Sequence, residues 1–259
     1  MQTNYRFIDI KIEEHLAWVY LDRPPVNALT PEMAMELGVV MDELGARNEV
    51  WVVIISGKGK CFMAGVDVND FLDLDQKKGE KYIRGIQSTY LKVSELDRPV
   101  IAAVNGPALG AGLGLAAACD LRVASSKATF AMPEVRMGVL PAYSSVRIPQ
   151  IIPLGFAKEL LFSGATISAE EAYRIGLVNR IAEPGESLSV AEEMARQILK
   201  QAPLAVRHTK QAMEEGFDLT FTEALDKTAK RFGLCCTTRD QKEGPRAFFE
   251  KRTPKFTGQ

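Results

Sequence analysis

Apolar positions along the chain change period several times, and each change marks an element. From Arg6 to Glu13 the apolar Phe7, Ile8, Ile10 and Ile12 are set among polar residues, and Ala17-Trp-Val-Tyr-Leu21 follows across a short Glu-His turn. Alternation of this kind puts successive side chains on opposite faces, so the chain is expected to open with an antiparallel hairpin that Arg23-Pro-Pro ends. Thr30 then has the chemistry of an N-cap, Pro31 suits the first helical position, and Glu32 complements the positive helix end. They predict an amphipathic helix reaching about Arg47. Val50 to Ser56 is nearly continuous apolar sequence, as for a strand buried on both faces.

Gly57-Lys-Gly-Lys60 breaks that run, and Met63-Ala64-Gly65 leads into an acidic segment from Asp67 to Asp75. A helix is expected over Lys81 to Leu96. The same order of strand, glycine-containing turn and helix then recurs: Val100 to Val104, a break at Asn105-Gly106-Pro107, and Gly110, Gly112 and Gly114 at the start of an Ala/Leu-rich helix. Two such passes suggest a superhelix of ββα units, without a fixed-period repeat. Beyond Glu134 the chain reads as helices almost to its end, with capping boxes at Ser168-x-x-Glu171, closed by Gly176, at Thr220-x-x-Glu223 and at Thr238-x-x-Gln241. Strands are largely spent by about Ile181. The expected organisation is an α/β core over 1–182 followed by a helical region over 183–259.

A strand feeding a glycine-rich helix start makes an anion site, because the first N–H groups of a helix lack internal partners and carry the positive end of its dipole. Two kinds of ligand suit it. Gly112-x-Gly114-x-x-Ala117 with Glu134 about 20 residues on matches a dinucleotide fingerprint, although about a hundred residues precede it and Gly106 to Ala111 separate it from the strand. The alternative is an oxyanion hole, in which the same donors face a thioester oxygen as an enolate forms.

Composition narrows the classes. The 32 basic and 33 acidic residues leave a net charge of −1, which argues against a nucleic-acid surface or a polybasic membrane anchor. Cys61, Cys119, Cys235 and Cys236 have no CxxC spacing, so neither a disulfide framework nor a four-cysteine zinc site is expected, and a reducing, cytoplasmic compartment fits. The N-terminal Met-Gln-Thr-Asn-Tyr-Arg-Phe has no apolar h-region and no run reaches the roughly 18 residues of a membrane span, so a soluble, unprocessed chain is expected. His15 and His208, the only histidines, have no nucleophile elbow nearby, which argues against a Ser-His-Asp hydrolase and a histidine metal site.

Gly106-Pro-Ala-Leu-Gly-Ala-Gly112, Cys119-Asp-Leu-Arg-Val-Ala and Phe130-Ala-Met-Pro-Glu134-Val-Arg-Met-Gly138, in that order, resemble the crotonase (enoyl-CoA hydratase/isomerase) family. So do Leu21-Asp-Arg-Pro-Pro-Val-Asn27-Ala-Leu, Phe62-Met-Ala-Gly-Val-Asp67, Ser168 to Asn179 and Glu243 to Arg252, which extends the resemblance over essentially the whole chain. It implies a ClpP-like α/β superhelix of ββα units with a helical C-terminal region that makes trimer contacts, in a homotrimer or dimer of trimers. It also implies an acyl-CoA substrate of fatty acid metabolism, with CoA carried by the substrate rather than bound as a cofactor, and no metal.

The same resemblance implies roles for residues. Glu134 matches the family's acid/base glutamate, and its apolar setting would raise a carboxyl pKa toward the working range. Ala64 and Ala111 match the backbone oxyanion donors; Gly65, Val66, Asp67 and Val68 adjoin them in substrate binding, and Lys251 matches a position that reaches the CoA phosphates. Gly114 is a departure, since two-glutamate hydratases carry their other carboxylate there. One carboxylate can move a proton from C2 to C4, which favours a single-glutamate double-bond isomerase; water addition, with Tyr143 holding the water, is the alternative. Tyr143-Ser-Ser145 replaces a glycine-rich turn, and Asp67, Asp70 and Tyr143 are the candidates for a second acid. Remoter alternatives are a non-catalytic CoA-binding subunit and a dinucleotide oxidoreductase.

Overall fold

The structure is a computed structural model describing residues 5–259; the first four residues, part of the stretch without an h-region, lie outside the described residues. The expected hairpin forms from β1 (Ile8–Glu13) and β2 (Leu16–Leu21), reversing through Glu14 and His15 at positive φ. Helix α1 (Pro31–Gly45) starts as expected, with the Thr30 hydroxyl accepting from the Met33 N–H. After β3 (Val52–Gly57), all six of whose residues are buried, a 3-10 turn at Val68–Phe71 leads to α2 (Gln76–Ser94). This helix begins five residues before the expected Lys81, because the Asp75 carboxylate caps it by accepting from the Lys78 N–H at 2.8 Å.

Strand β4 (Val100–Val104) has its expected limits, and β5 (Ala108–Leu109) precedes α3 (Ala111–Ala118). The chain continues through β6 (Leu121–Ser125), β7 (Thr129–Ala131), a 3-10 turn at Pro133–Met137, α4 (Ser144–Ile151), α5 (Leu154–Ser163), β8 (Ile167–Ser168), α6 (Ala169–Arg174) and β9 (Arg180–Ala182). Four helices follow, α7 (Ser187–Leu199), α8 (Pro203–Gly216), α9 (Phe221–Cys235) and α10 (Arg239–Phe249). Gly176 at φ 85° ends α6, the Leu177 N–H reaching the Ala172 carbonyl at 2.8 Å. Of the three capping boxes, only Thr220/Glu223 is reciprocal; Ser168 and Thr238 accept from the expected N–H groups.

The main sheet has the order β1-β2-β3-β4-β6-β9, parallel from β2 onward. Its two faces divide the core. Val53, Ile55, Ala102 and Ala124 face the helices α1 to α3, whereas Val52, Ile54, Ile101 and Val123 pack with Ala191, Met194 and Ala195 of α7. The first helix of the 183–259 region thus serves as the outer layer of the α/β core. A second sheet, β5-β7-β8, was not anticipated, its strands being too short to show a period.

Two buried arginines tie this scaffold together through main-chain carbonyls. Arg98 donates to the carbonyls of Gly45, Arg47 and Val50, holding the α1–β3 connection. Arg122 donates to Ala116, Cys119, Asp120 and Leu177, locking the end of α3 to the turn before β9. Because buried carbonyls left unpaired are costly, Arg122→Met is expected to lower stability by on the order of 3 kcal/mol in urea unfolding. An unchanged midpoint would show that these bonds are redundant.

Candidate functional site

The site begins at a seam between two loops. The N–H groups of Phe62 and Met63 both donate to the Pro107 carbonyl, and the Leu109 N–H donates to Met63 at 3.0 Å. Buried Asn27, at φ 52°, secures the first loop from behind, its Nδ2 donating to the carbonyls of Lys58, Cys61 and Phe62. The approach is so close that a Cβ on Gly112 would fall on the Met63 carbonyl oxygen. This glycine therefore serves loop packing, and with Glu134 placed in a cavity wall rather than beside a ribose site, the dinucleotide reading loses both of its marks.

Beyond the seam lies a cavity of about 480 Å³, lined at one end by Val66, Gly110, Ala111, Gly114 and Glu134 and walled by Phe71, Leu74, Tyr82, Ile83, Ile86, Tyr90, Leu140 and Tyr143. Ala111 is the first residue of α3, where an N–H has no partner within the helix. The other expected donor needs correction. The Ala64 N–H donates to the Val26 carbonyl at 3.0 Å and is spent. The Gly65 carbonyl and the Asp67 N–H both bond Leu29, so the intervening Val66 N–H faces the opposite way. The Val66 N–H makes no main-chain bond among the described residues, and Val66 lines the cavity, as Ala111 does.

Glu134 enters from the 3-10 turn Pro133–Met137, which Gly138 closes at φ 76°. Its Oε1 sits over Gly110, where a Cβ would be only 2.8 Å away, so glycine is required for the approach. Its Oε2 is buried with no hydrogen-bond partner. Burial pushes this carboxyl above the ordinary glutamate value, opposed by its own backbone N–H.

The remaining candidates are engaged elsewhere. Asp67 accepts from the side chain of Asn69 at 2.9 Å and pairs with Arg23 at 3.3 Å, and bonds from Asn69 hold its carboxyl below the usual range. It caps the 3-10 turn and does not line the cavity. Asp70 accepts from the Tyr82 hydroxyl at 3.3 Å. Tyr143 lines the cavity, its ring edge to face with Tyr90 and its hydroxyl interacting with Ser94. Gly65 and the exposed Val68 lie outside the lining, and Lys251, at φ 52° after α10, is exposed and apart from it.

Tyr90 is the site residue that sequence reasoning missed. It is buried on α2, donates its hydroxyl to the Ala111 carbonyl at 2.6 Å, and meets Tyr143 edge to face at 5.1 Å. Its ring occupies the space a side chain at position 114 would need: a Cβ there would lie 3.0 Å from Tyr90 Cε2 and 3.3 Å from Ser144 Oγ. The carboxylate absent at Gly114 has been replaced by an aromatic wall.

Main-chain donors beside a desolvated carboxyl suit a reaction in which a carbonyl oxygen gains charge while a proton moves, and the sheet topology around them is that of the crotonase class. A family model for enoyl-CoA hydratase/isomerase matches residues 11–259. The chain is 40% identical over 243 residues to a short-chain-enoyl-CoA hydratase of Clostridium acetobutylicum, covering 93% of each. It is 39% identical over 255 residues to a crotonyl-CoA hydratase of Syntrophomonas wolfei, covering 97% of this chain and 98% of that one. The crystal structure of an enoyl-CoA hydratase from Bacillus anthracis superimposes with a TM-score of 0.94 at 32% identity, covering 98% of this chain and 100% of that chain. The chain belongs to the enoyl-CoA hydratase/isomerase family of the crotonase superfamily.

Filling position 114 tests the aromatic wall. Gly114→Ala is expected to destabilise by roughly 1–3 kcal/mol, the usual cost of overpacking, and Tyr90→Leu in the same chain should recover part of it. Gly114→Glu meets Tyr90 before it can serve as a second carboxylate. Additive effects in a double-mutant cycle would show that the two positions do not share this space.

Proposed function

We propose that the protein is an enoyl-CoA hydratase, adding water across the double bond of a 2-enoyl thioester. The observation that carries this reading is the buried, partly unpartnered Glu134 carboxyl in one cavity with the main-chain donors of Val66 and Ala111. The hydratase names of the two relatives favour water addition over the double-bond shift that a single carboxylate suggests.

The chemistry balances with one carboxylate. Glu134 takes a proton from water as the water oxygen bonds C3, and the displaced electron pair moves to the thioester oxygen, where the N–H groups of Val66 and Ala111 stabilise it. The enolate then collapses, and Glu134 returns the proton to C2. A carboxyl whose neutral form is favoured by burial holds that proton between the two steps at low cost. Donors already fixed in the fold need no reorganisation, and each is worth roughly 2.7–4 kcal/mol. The apolar wall accepts a hydrocarbon acyl chain.

The same reading extends to assembly as a trimer or a pair of trimers through the helical tail. Helix α9 has no buried residue, while its Phe221 and Phe232 are 80% and 73% exposed and Leu225 and Leu234 are also exposed. A second copy of this chain is the partner such a surface fits.

Glu134→Gln is expected to leave acyl-CoA binding within a few-fold while turnover falls by about 10²–10⁴. The acid limb of native kcat/KM should lie above the ordinary glutamate range, because the base must be ionised and burial raises its pKa. Between those pH values the native state keeps a proton that the unfolded chain has lost, so stability falls as pH rises, and the glutamine variant should be at least as stable as native at neutral pH. Mass spectrometry of enoyl-CoAs in heavy water checks the reaction: hydration adds a water, whereas isomerisation only exchanges protons. Near-native turnover in Glu134→Gln would move the base elsewhere.

Sedimentation at micromolar concentration should give three or six times the chain mass. A monomer would exclude the assembly reading.

A further inference from the structure

Two side-chain oxygens at the reactive end of the cavity are left for a small reactant once the bonds of the others are assigned. The Tyr90 hydroxyl is spent on the Ala111 carbonyl and that of Tyr82 on Asp70, while that of Tyr143 interacts with Ser94. Ser144 differs. It opens α4, is 2% exposed, lines the cavity, and its hydroxyl makes no hydrogen bond with any described residue.

Its position relative to Glu134 follows from α3. Glu134 Oε1 lies over Gly110 and Ser144 Oγ lies 3.3 Å from where a Gly114 Cβ would point. Gly110 is the N-cap of α3 and Gly114 lies in its first turn, so both oxygens flank the start of this helix, and both residues line the same cavity. The bare backbone at Gly110 is what lets Glu134 Oε1 approach the start of α3, and Ser144 Oγ stands beside the Tyr90 ring at position 114.

We propose that Ser144 is a further catalytic residue for water addition, its hydroxyl holding the reacting water against Glu134 in the role a second carboxylate would otherwise fill at position 114. No proton is gained or lost by Ser144: its oxygen accepts one hydrogen bond from the water while Glu134 accepts the other and removes that proton. The hydroxyl orients the water oxygen toward C3 and remains unchanged after the C3–O bond has formed. This inference rests on the hydratase reading of the same site.

Ser144→Ala removes one oxygen without adding volume. Two rates are measured in native and variant enzyme: hydration of a 2-enoyl-CoA, and exchange of solvent deuterium into C2 of a saturated acyl-CoA, which needs the base and the main-chain donors but no added water. Hydration kcat is expected to fall by about 10-fold or more with KM within two-fold, the loss of one bond to the reactant. Deuterium exchange should stay within three-fold and the thermal midpoint near native. Unchanged hydration in Ser144→Ala overturns the proposal, as does an equal fall in both rates, which would mark a structural role. Failure of the hydratase reading shows separately and earlier, as a native enzyme that shifts double bonds but adds no water to any enoyl-CoA tested.

Discussion

The site depends on the main-chain seam between residues 62–63 and 107–109. Three hydrogen bonds draw the loop after β3 onto the loop after β4, and the close packing at Gly112 is possible only without a side chain. Each loop continues directly from the seam into a residue that lines the cavity and whose N–H makes no main-chain bond among the described residues, Val66 on one side and Ala111 on the other. Parallel pairing of β3 with β4 sets the two loops at the same sheet edge, and Arg122 fixes the far end of α3. Sheet, glycine and arginine thus act on one outcome, the placing of Val66 and Ala111 in one cavity.

Around those donors the side chains divide into bound and unbound groups. Tyr82, Tyr90 and Tyr143 contribute rings to the wall while their hydroxyls are paired, so three polar groups are placed in an apolar cavity at little desolvation cost. Glu134 and Ser144 are the exceptions, the carboxyl with one oxygen sealed and bare. The low polarity around such a carboxyl strengthens every charge interaction in the cavity.

Legibility followed the range of the forces involved. β4 was readable to the residue because five apolar positions between a helix end and an Asn-Gly-Pro break leave one interpretation. Glu134 was legible because its apolar neighbours and its match to a known pattern coincide. The start of α2 was not, since Asp75 belongs to an acidic run that reads as loop until its capping bond is seen. The expectation for Ala64 failed because long-range pairing decides which N–H is free: Ala64 bonds Val26, and Gly65 and Asp67 bond Leu29, across more than thirty positions. Tyr90 reads as an ordinary core residue of a helix. Its bond to Ala111 crosses 21 positions and leaves no local trace.

The seam has an evolutionary consequence. The half of the site that stabilises charge is made of peptide groups, so a point substitution can delete it only by disturbing the backbone, as at Gly112. The proton-handling groups proposed for the site are exchangeable side chains on the same frame, and here position 114 is a glycine with the Tyr90 ring in the space beside it. A lineage built this way can drift through different carboxylate and hydroxyl sets while the activation of the thioester is inherited intact, so new reactions on CoA esters begin from a half-finished active site.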